Sequence, residues 1–400
     1  MNVMSEFRII TFAEKEVWDN LVTSFPNHDV YYLCNYAKAF HIHGDGLPLL
    51  LCYEQDSFRA ISVILKRDIA WSDPFIGSIH PGSYYDLATP YGYGGFIFDG
   101  NPSPDDIRQF YETYIQWLQR QNIVSEFVRY HPLLHNAEWL REVSSITDLG
   151  RTIAIDLQSP DVIWNNFTPQ NRNNIRKAQN SDVVVRHGKE WKLFVEFRKM
   201  YEATMDQDEA DPYYYFEEAF YRSICDDLTD HQEIFYAERD GKILAMVIML
   251  FANKLMHAHL ACSLCQFRFL QPSNLLFYEA ALWGCTQGFR ALHLGGGVCC
   301  GEDNLFRFKQ SFNRHSDNRF SVGKYIVNQK IYESLVTLRE EIDPDFQPDS
   351  PYFPLYRASQ GNYYHKHNLC TCKDLTHMDG ITLNEESQLT KPISVYGNAQ

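Results

Sequence analysis

Residues 233–294 most constrain what this chain can become. Glu233–Arg239 reads as a strand, and Asp240-Gly241 follows as a two-residue hairpin signal, since both positions tolerate positive φ. Lys242–Phe251 is the return strand, and its nearly unbroken apolar run implies burial on both faces. Asn253 marks a second turn before a third strand, Leu255–Ser263. Pro272-Ser273 opens a helix that runs to Gln287, and Gly288 suits its stop. Ala291–Leu294 is then a fourth strand. Three antiparallel strands, a helix and a further strand describe a sheet with a helix packed on its face.

The fourth strand runs into Gly295, Gly296 and Gly297, then a polar turn, then a helical segment carrying Arg307 and Lys309. Glycines let a ligand approach the backbone, and a strand ending in glycines can offer free N–H groups to an anionic or carbonyl oxygen. The spacing matches neither the dinucleotide fingerprint nor the Walker loop, so a plain tight turn competes with a binding role.

The first half gives a blurred copy of the same order. Leu47–Glu54 and Ser57–Arg67 form a hairpin, and Tyr84–Phe98 is a loop rich in Tyr and Gly. A helix starts at Ser103-Pro104, with Ile107, Phe110, Tyr114 and Leu118 on one face, and Ile123–Tyr130 is a strand. Glu14–Val22, Asn35–His41, Trp191–Met205 and Tyr213–Ile224 read as helices. With 400 residues the chain exceeds a single core, and the repeated order predicts two similar domains. The division expected is 1–150, with loop 84–98 facing substrate, then 151–342, then a Pro-rich extension over 343–400 whose end is irregular and mobile.

A net charge of −15 disfavours nonspecific binding to DNA or anionic lipid. No apolar run is long enough to span a bilayer, and the N-terminus lacks the signal-peptide pattern, so a cytoplasmic protein with reduced thiols is expected. Against this acidic background, residues 168–181 concentrate Arg172, Arg176 and Lys177. On a helix Arg172 and Arg176 share a face, either as a solvated surface or as a site for phosphate or carboxylate. His257 and His259 share one face of a strand and are expected as buried, hydrogen-bonded histidines. His365, His367, Cys370 and Cys372 offer ligand types in a short span that matches no zinc motif, and no metal site is expected.

Several segments in one order resemble the FemAB family of peptidoglycan interpeptide-bridge aminoacyltransferases and their acetyltransferase-like relatives on the GNAT fold. They are Thr89–Gly95 (TPYGYGG), Arg172–Ala178 (a basic R-N-x-x-R-K-A helix), Tyr213–Phe216 (YYYF), the Leu292–Lys309 glycine run with its Phe-Lys helix, and Phe353–Arg357 (F-P-x-Y-R). The resemblance spans about residues 15 to 357. It implies an α+β (mixed α/β) fold of tandem GNAT-like acyltransferase domains. The coiled-coil arm of some members is absent here. Two departures stand out. The acidic run Asp206–Glu209 replaces a basic residue before YYYF. The loop 266–274, QFRFLQPSN, has none of the glycines that hold the pyrophosphate of coenzyme A in acetyl-CoA enzymes of this fold.

The resemblance implies an enzyme that transfers an acyl or aminoacyl group to an amine, in cell-envelope or polysaccharide precursor synthesis. Lys309 is the expected catalytic residue, facing donor and acceptor. Tyr91, Tyr93, Gly94, Arg172, Arg176, Tyr215, Gly295, Gly296 and Arg307 are the expected substrate-binding residues. The donor is either aminoacyl-tRNA or acyl-CoA, with no tightly bound cofactor. The acceptor is an amine-bearing envelope or sugar precursor. Two alternatives stay open: an acyl-CoA-dependent N-acetyltransferase acting on an amino sugar or small amine, and a non-catalytic binding protein on the same fold.

Overall fold

The computed structural model describes residues 6–358. In the second half, β9 (Gln232–Arg239), β10 (Lys242–Ala252) and β11 (Leu255–Ser263) form the antiparallel meander, with β8 (Val184–Gly188) on its outer edge. The helix Pro272–Thr286 follows, and β12 (Ala291–Gly295) returns parallel to β11. The first half has the same order. β2 (Leu47–Gln55), β3 (Phe58–Asp68) and β4 (Tyr85–Ala88) are antiparallel neighbours. The helix Pro104–Arg120 then leads to β6 (Ile123–Arg129), which is parallel to β4. β1 (Arg8–Thr11) pairs with β2, and β5 (Ile97–Gly100) with β3.

The predicted helix at Ser103 is capped as its sequence demands. Ser103 Oγ accepts from Asp106 N–H at 3.2 Å, and the Asp106 carboxylate accepts from Ser103 N–H at 2.8 Å. Its Ile107, Phe110, Tyr114 and Leu118 face is buried against the sheet.

With β7 (Ile146–Asp156) and β13 (Asn318–Ile326), the strands join among the described residues into one sheet, in the order β1-β2-β3-β4-β6-β13-β7-β12-β11-β10-β9-β8. β7 makes the join. Its first part, Ile146–Thr152, pairs with β13, and its last part, Ile153–Asp156, pairs on the other edge with β12. β7 thus runs across residue 150, and β13 returns from late in the chain to lie between β6 and β7. A mixed α/β, GNAT-like architecture in two repeated parts is the outcome.

Two segments differ from their sequence pattern. The aromatic loop 84–98 contains β4 and the start of β5. The Tyr213–Ile224 helix is a short 3-10 turn, Pro212–Tyr214, followed by a helix over Glu218–Asp227. Phe216 breaks the run because it inserts into the core, 4.3 Å ring to ring from Phe220, and Tyr215 is extended.

The last described residues fold back onto the first half. Asp86 on β4 is fully buried. Arg67 Nε donates to its Oδ1 at 2.6 Å, while Arg357 Nε and Tyr356 Oη donate to Oδ2. Residues 359–400, including His365, His367, Cys370 and Cys372, lie outside the described residues.

Candidate active site

A cleft opens where β7 changes partners. The β12 ladder ends at Ile153, and the glycine run beyond it packs against the first part of β7: a Cβ on Gly150 would stand 2.4 Å from Cys300 O and one on Gly296 3.0 Å from Arg151 O. Gly150, Arg151 and Thr152 of β7 line the cleft together with Gly296, Gly297 and Cys300. Tyr91, Gly92, Tyr93, Arg129 and Phe320 close it from the first half. The chain therefore brings together Tyr91, Tyr93 and Gly296 from segments some 200 residues apart in sequence.

The glycine turn is held by Asp303. Its Oδ2 accepts from Val298 N–H at 3.1 Å and its Oδ1 from Phe306 N–H at 2.8 Å, so this acid caps the helix Asn304–Gln310. Glu302 pairs with Arg151 Nη2 at 2.6 Å. Gly297 is required sterically. A Cβ there would stand 2.1 Å from Gly301 O and 2.5 Å from Asp303 Oδ1. Gly297→Ala is expected to displace the turn and to cost about 1–3 kcal/mol in stability, read as a lowered denaturant midpoint. An unchanged midpoint would refute this tight packing.

Lys309 sits on that helix and is 2% exposed. Its Nζ donates to Gly296 O at 2.6 Å, one hydrogen bond behind the cleft wall. Burial lowers its pKa to about 7, against a smaller raising effect of Asp303. Neutral and charged forms are therefore both accessible near pH 7.

Arg129 escaped the sequence reading. It ends β6 at the cleft, half-buried, with its guanidinium 5.2 Å from the Phe127 ring. Among the described residues it makes no ion pair, whereas Arg151 does. A half-buried guanidinium without a carboxylate suits an anionic group of a ligand. Its only sequence signal is its place at a strand end, before Tyr130-His131-Pro132.

The other expected site residues are placed elsewhere. Gly94 is backbone framework: its N–H donates to Arg129 O at 2.7 Å and its carbonyl accepts from Asn136 Nδ2 at 2.8 Å. Gly295 ends β12 at φ +78°. Arg172 donates to the carbonyls of Trp164 and Phe167, and Arg176 lies 5.2 Å over the Trp164 ring. Tyr215 Oη donates to Asp206 Oδ1 at 2.9 Å. Arg307 is exposed. None of Gly94, Arg172, Arg176, Tyr215 and Arg307 lines the cleft. The YYYF segment meets it indirectly, with Tyr213 and Tyr214 within 6.4 Å of the Tyr91 ring.

Behind Tyr93 lies a buried polar cluster. Asp29 Oδ2 accepts from His131 Nε2 at 2.6 Å and from His257 Nε2 at 2.7 Å. Burial alone would raise the Asp29 pKa, but the charge and hydrogen bond of His257 and the hydrogen bond of His131 hold it well below the usual carboxylate range. His257 is thus a buried, hydrogen-bonded histidine, and its partner Asp29 comes from the other half. The three side chains are close enough to share a cation, with ligand atoms within 4.8 Å of one another. The hydrogen bonds oppose that reading. His131 Nδ1 accepts the N–H groups of Leu133 and Leu134, both at 3.2 Å. Its Nε2 therefore carries the proton given to Asp29, and a protonated nitrogen cannot ligate a metal.

Residues 169–310 match the family model described as an acetyltransferase (GNAT) domain. The second half of the chain is thus similar to a GNAT-type acetyltransferase domain. The matched segment contains β9 to β12 and ends one residue beyond Lys309. Among solved structures, FemX shares the fold, with a TM-score of 0.59 at 14% identity over 82% of this chain and 99% of that one. A conserved protein of unknown function from Bacteroides thetaiotaomicron aligns with a TM-score of 0.52 at 12% identity, over 80% of this chain and 99% of that one. No curated protein matches the chain. Among the described residues no helix is long and apolar enough to cross a membrane.

Proposed function

We propose that the chain is an N-acyltransferase that joins an activated acyl or aminoacyl group to an amine-bearing envelope or sugar precursor in the cytoplasm. The observation that carries this reading is the cleft at the β7 switch. There the glycine turn of the GNAT domain, with Lys309 behind it, faces Tyr91, Tyr93 and Arg129 of the first half. Arg129 holds an anionic group of a substrate, and the tyrosines orient it. Neutral Lys309 exchanges its bond to Gly296 O for the acceptor amine. It takes the amine proton as the C–N bond forms, and the resulting ammonium then faces the oxyanion of the tetrahedral intermediate.

The loop before the helix Pro272–Thr286 favours a donor other than acyl-CoA. The amides of Phe267, Gln271, Asn274 and Leu275 already donate to backbone carbonyls, and Pro272 has no N–H. Few donors remain there for a pyrophosphate. An aminoacyl ester on tRNA is the alternative activated donor.

The test is incubation with charged tRNA or acetyl-CoA and a panel of amine acceptors, followed by mass spectrometry. Transfer from charged tRNA with none from acetyl-CoA is the expected result. Transfer from acetyl-CoA alone would reverse the donor assignment. Ligand binding without turnover on any donor would leave a binding protein on this fold.

A further inference from the structure

Glu126 is an acid in an apolar place. It lies on β6 under the helix Pro104–Arg120 and is 7% exposed. Tyr114 Oη, from that helix, donates to its Oε1 at 2.5 Å. Among the described residues no second hydrogen bond and no ion pair reaches the carboxylate. A buried carboxylate without a counter-ion is costly, and an apolar side chain would suit this place better if packing were its whole purpose.

The acid does not face solid packing. A second cavity lies beside it and shares no residue with the cleft. Tyr111 and Tyr114 line it from the helix, Tyr130 and Tyr325 from the ends of β6 and β13, and Ser62 and Ser144 add hydroxyls. Its free space is about 20 Å³, enough for one water-sized group. Tyr111, Ser144 and Tyr325 are only half-buried, so the cavity reaches solvent on their side. Gly95 and Phe96 form part of its wall, and they continue the loop whose Tyr91, Gly92 and Tyr93 line the cleft. The Tyr130 ring is fixed there. A Cβ on Gly95 would stand 2.8 Å from its Cδ1, and one on Gly323 3.2 Å from its Cε2.

This lining has what an ammonium ion needs: one carboxylate for its charge, hydroxyl oxygens to accept its N–H groups, and tyrosine rings whose faces attract a cation. A water molecule would fill the space and leave the charge uncompensated. A metal ion would find no histidine, thiol or second acid in this lining. We propose that the cavity is a second binding site, which takes the ammonium group of a small primary amine with Glu126 as its counter-ion, the rest of the amine leaving on the side of Tyr111, Ser144 and Tyr325. The site is separate from the cleft, so it stands whether or not the chain transfers an acyl group. Burial raises the Glu126 pKa to about 7, against a smaller lowering by the Tyr114 hydrogen bond. The phenols of Tyr111, Tyr114, Tyr130 and Tyr325 around it are kept protonated, chiefly by burial. Arg141, whose charge acts on Tyr130, is paired with Glu138 and Asp148. Ammonium binding is therefore strongest above pH 7 and fades below it, as the acid takes up a proton.

The test is thermal unfolding of the full chain in methylammonium chloride against sodium chloride at equal ionic strength, at about pH 8.5 and about pH 6, for the unaltered protein, Glu126→Gln and Tyr111→Leu. A saturable rise in Tm of about 2–4 °C is expected with methylammonium at the higher pH. It is expected to shrink at the lower pH, to weaken in Tyr111→Leu and to vanish in Glu126→Gln. Tetramethylammonium, too bulky for the space and without N–H groups, is expected to give none. No rise, an equal rise in Glu126→Gln, or an equal rise in sodium chloride would overturn the site and leave Glu126 a packed, protonated acid. Calorimetric titration of the folded proteins with methylammonium makes the same comparison where a variant melts low. At least tenfold weaker binding is expected there in Glu126→Gln, and an unchanged Kd would overturn the site as well.

Discussion

Lys309→Met lowers the rate of acyl transfer by about 10²–10³-fold while the protein stays folded, because one group that stabilises the transition state is removed and its volume is nearly kept. The fold tolerates this change because the charged form of the amine is disfavoured by burial, and an apolar side chain of nearly the same length fills its place. The pH dependence separates two roles. If neutral Lys309 receives the amine proton, kcat/KM rises as pH passes about 7, where the folded amine loses its proton. A fall through that range would sink the proton-acceptor role and leave a fixed cation. Stability follows the same titration. Between about 7 and the ordinary lysine value of 10.5 the unfolded chain binds a proton that the folded chain does not. Stability therefore increases with pH across that window, by up to about 1.4 kcal/mol per pH unit, and Lys309→Met lacks this slope. Denaturant titrations of both proteins at several pH values measure it.

Asp86→Ala is expected to cost about 3–5 kcal/mol, since it strands two guanidinium groups in a buried site. Arg67 and Arg357 both reach this fully buried carboxylate, and Tyr356 donates to it as well as meeting Ser125 Oγ at 2.8 Å. The loss is read in urea unfolding and in protease cleavage near residue 350, where the returning segment detaches. A change under about 1 kcal/mol would mean the pairs are solvent-screened despite their burial. Burial alone would raise the Asp86 pKa, but Arg357 and Arg67 hold it below the ordinary carboxylate value. The stabilisation is therefore present at neutral pH and is lost as pH falls through the lowered pKa, and Asp86→Ala removes that acid dependence.

Local pattern was enough for most elements. Asp240-Gly241 fixed a hairpin because both residues accept positive φ, and they have φ of 51° and 74°. The apolar run of β10 announced a central strand, since a strand buried on both faces has no need to alternate. The Ser103 cap and the stripe behind it placed a helix with its buried face. The GNAT-like order and its repetition followed from such signals, each confined to a few neighbouring residues.

β13 and the cleft were beyond that range. Residues 318–326 lie between β6 and β7 through pairing that joins positions up to about 200 residues apart, and nothing in their own pattern names those partners. Arg172 and Arg176 looked like an anion site because they share a helix face, yet they bind carbonyls and a tryptophan ring of their own neighbourhood. Arg129 looked ordinary and stands in the cleft. Asp29, His131, His257 and His293 carry no common spacing. They meet because β11 and β12 pair only over Leu255–His257 and Ala291–His293, and the first half packs against the strands there. The sequence determined the elements because turn chemistry and burial act between neighbours. The tertiary structure alone decided the site, because its charged and aromatic side chains become neighbours only after two halves close on one another.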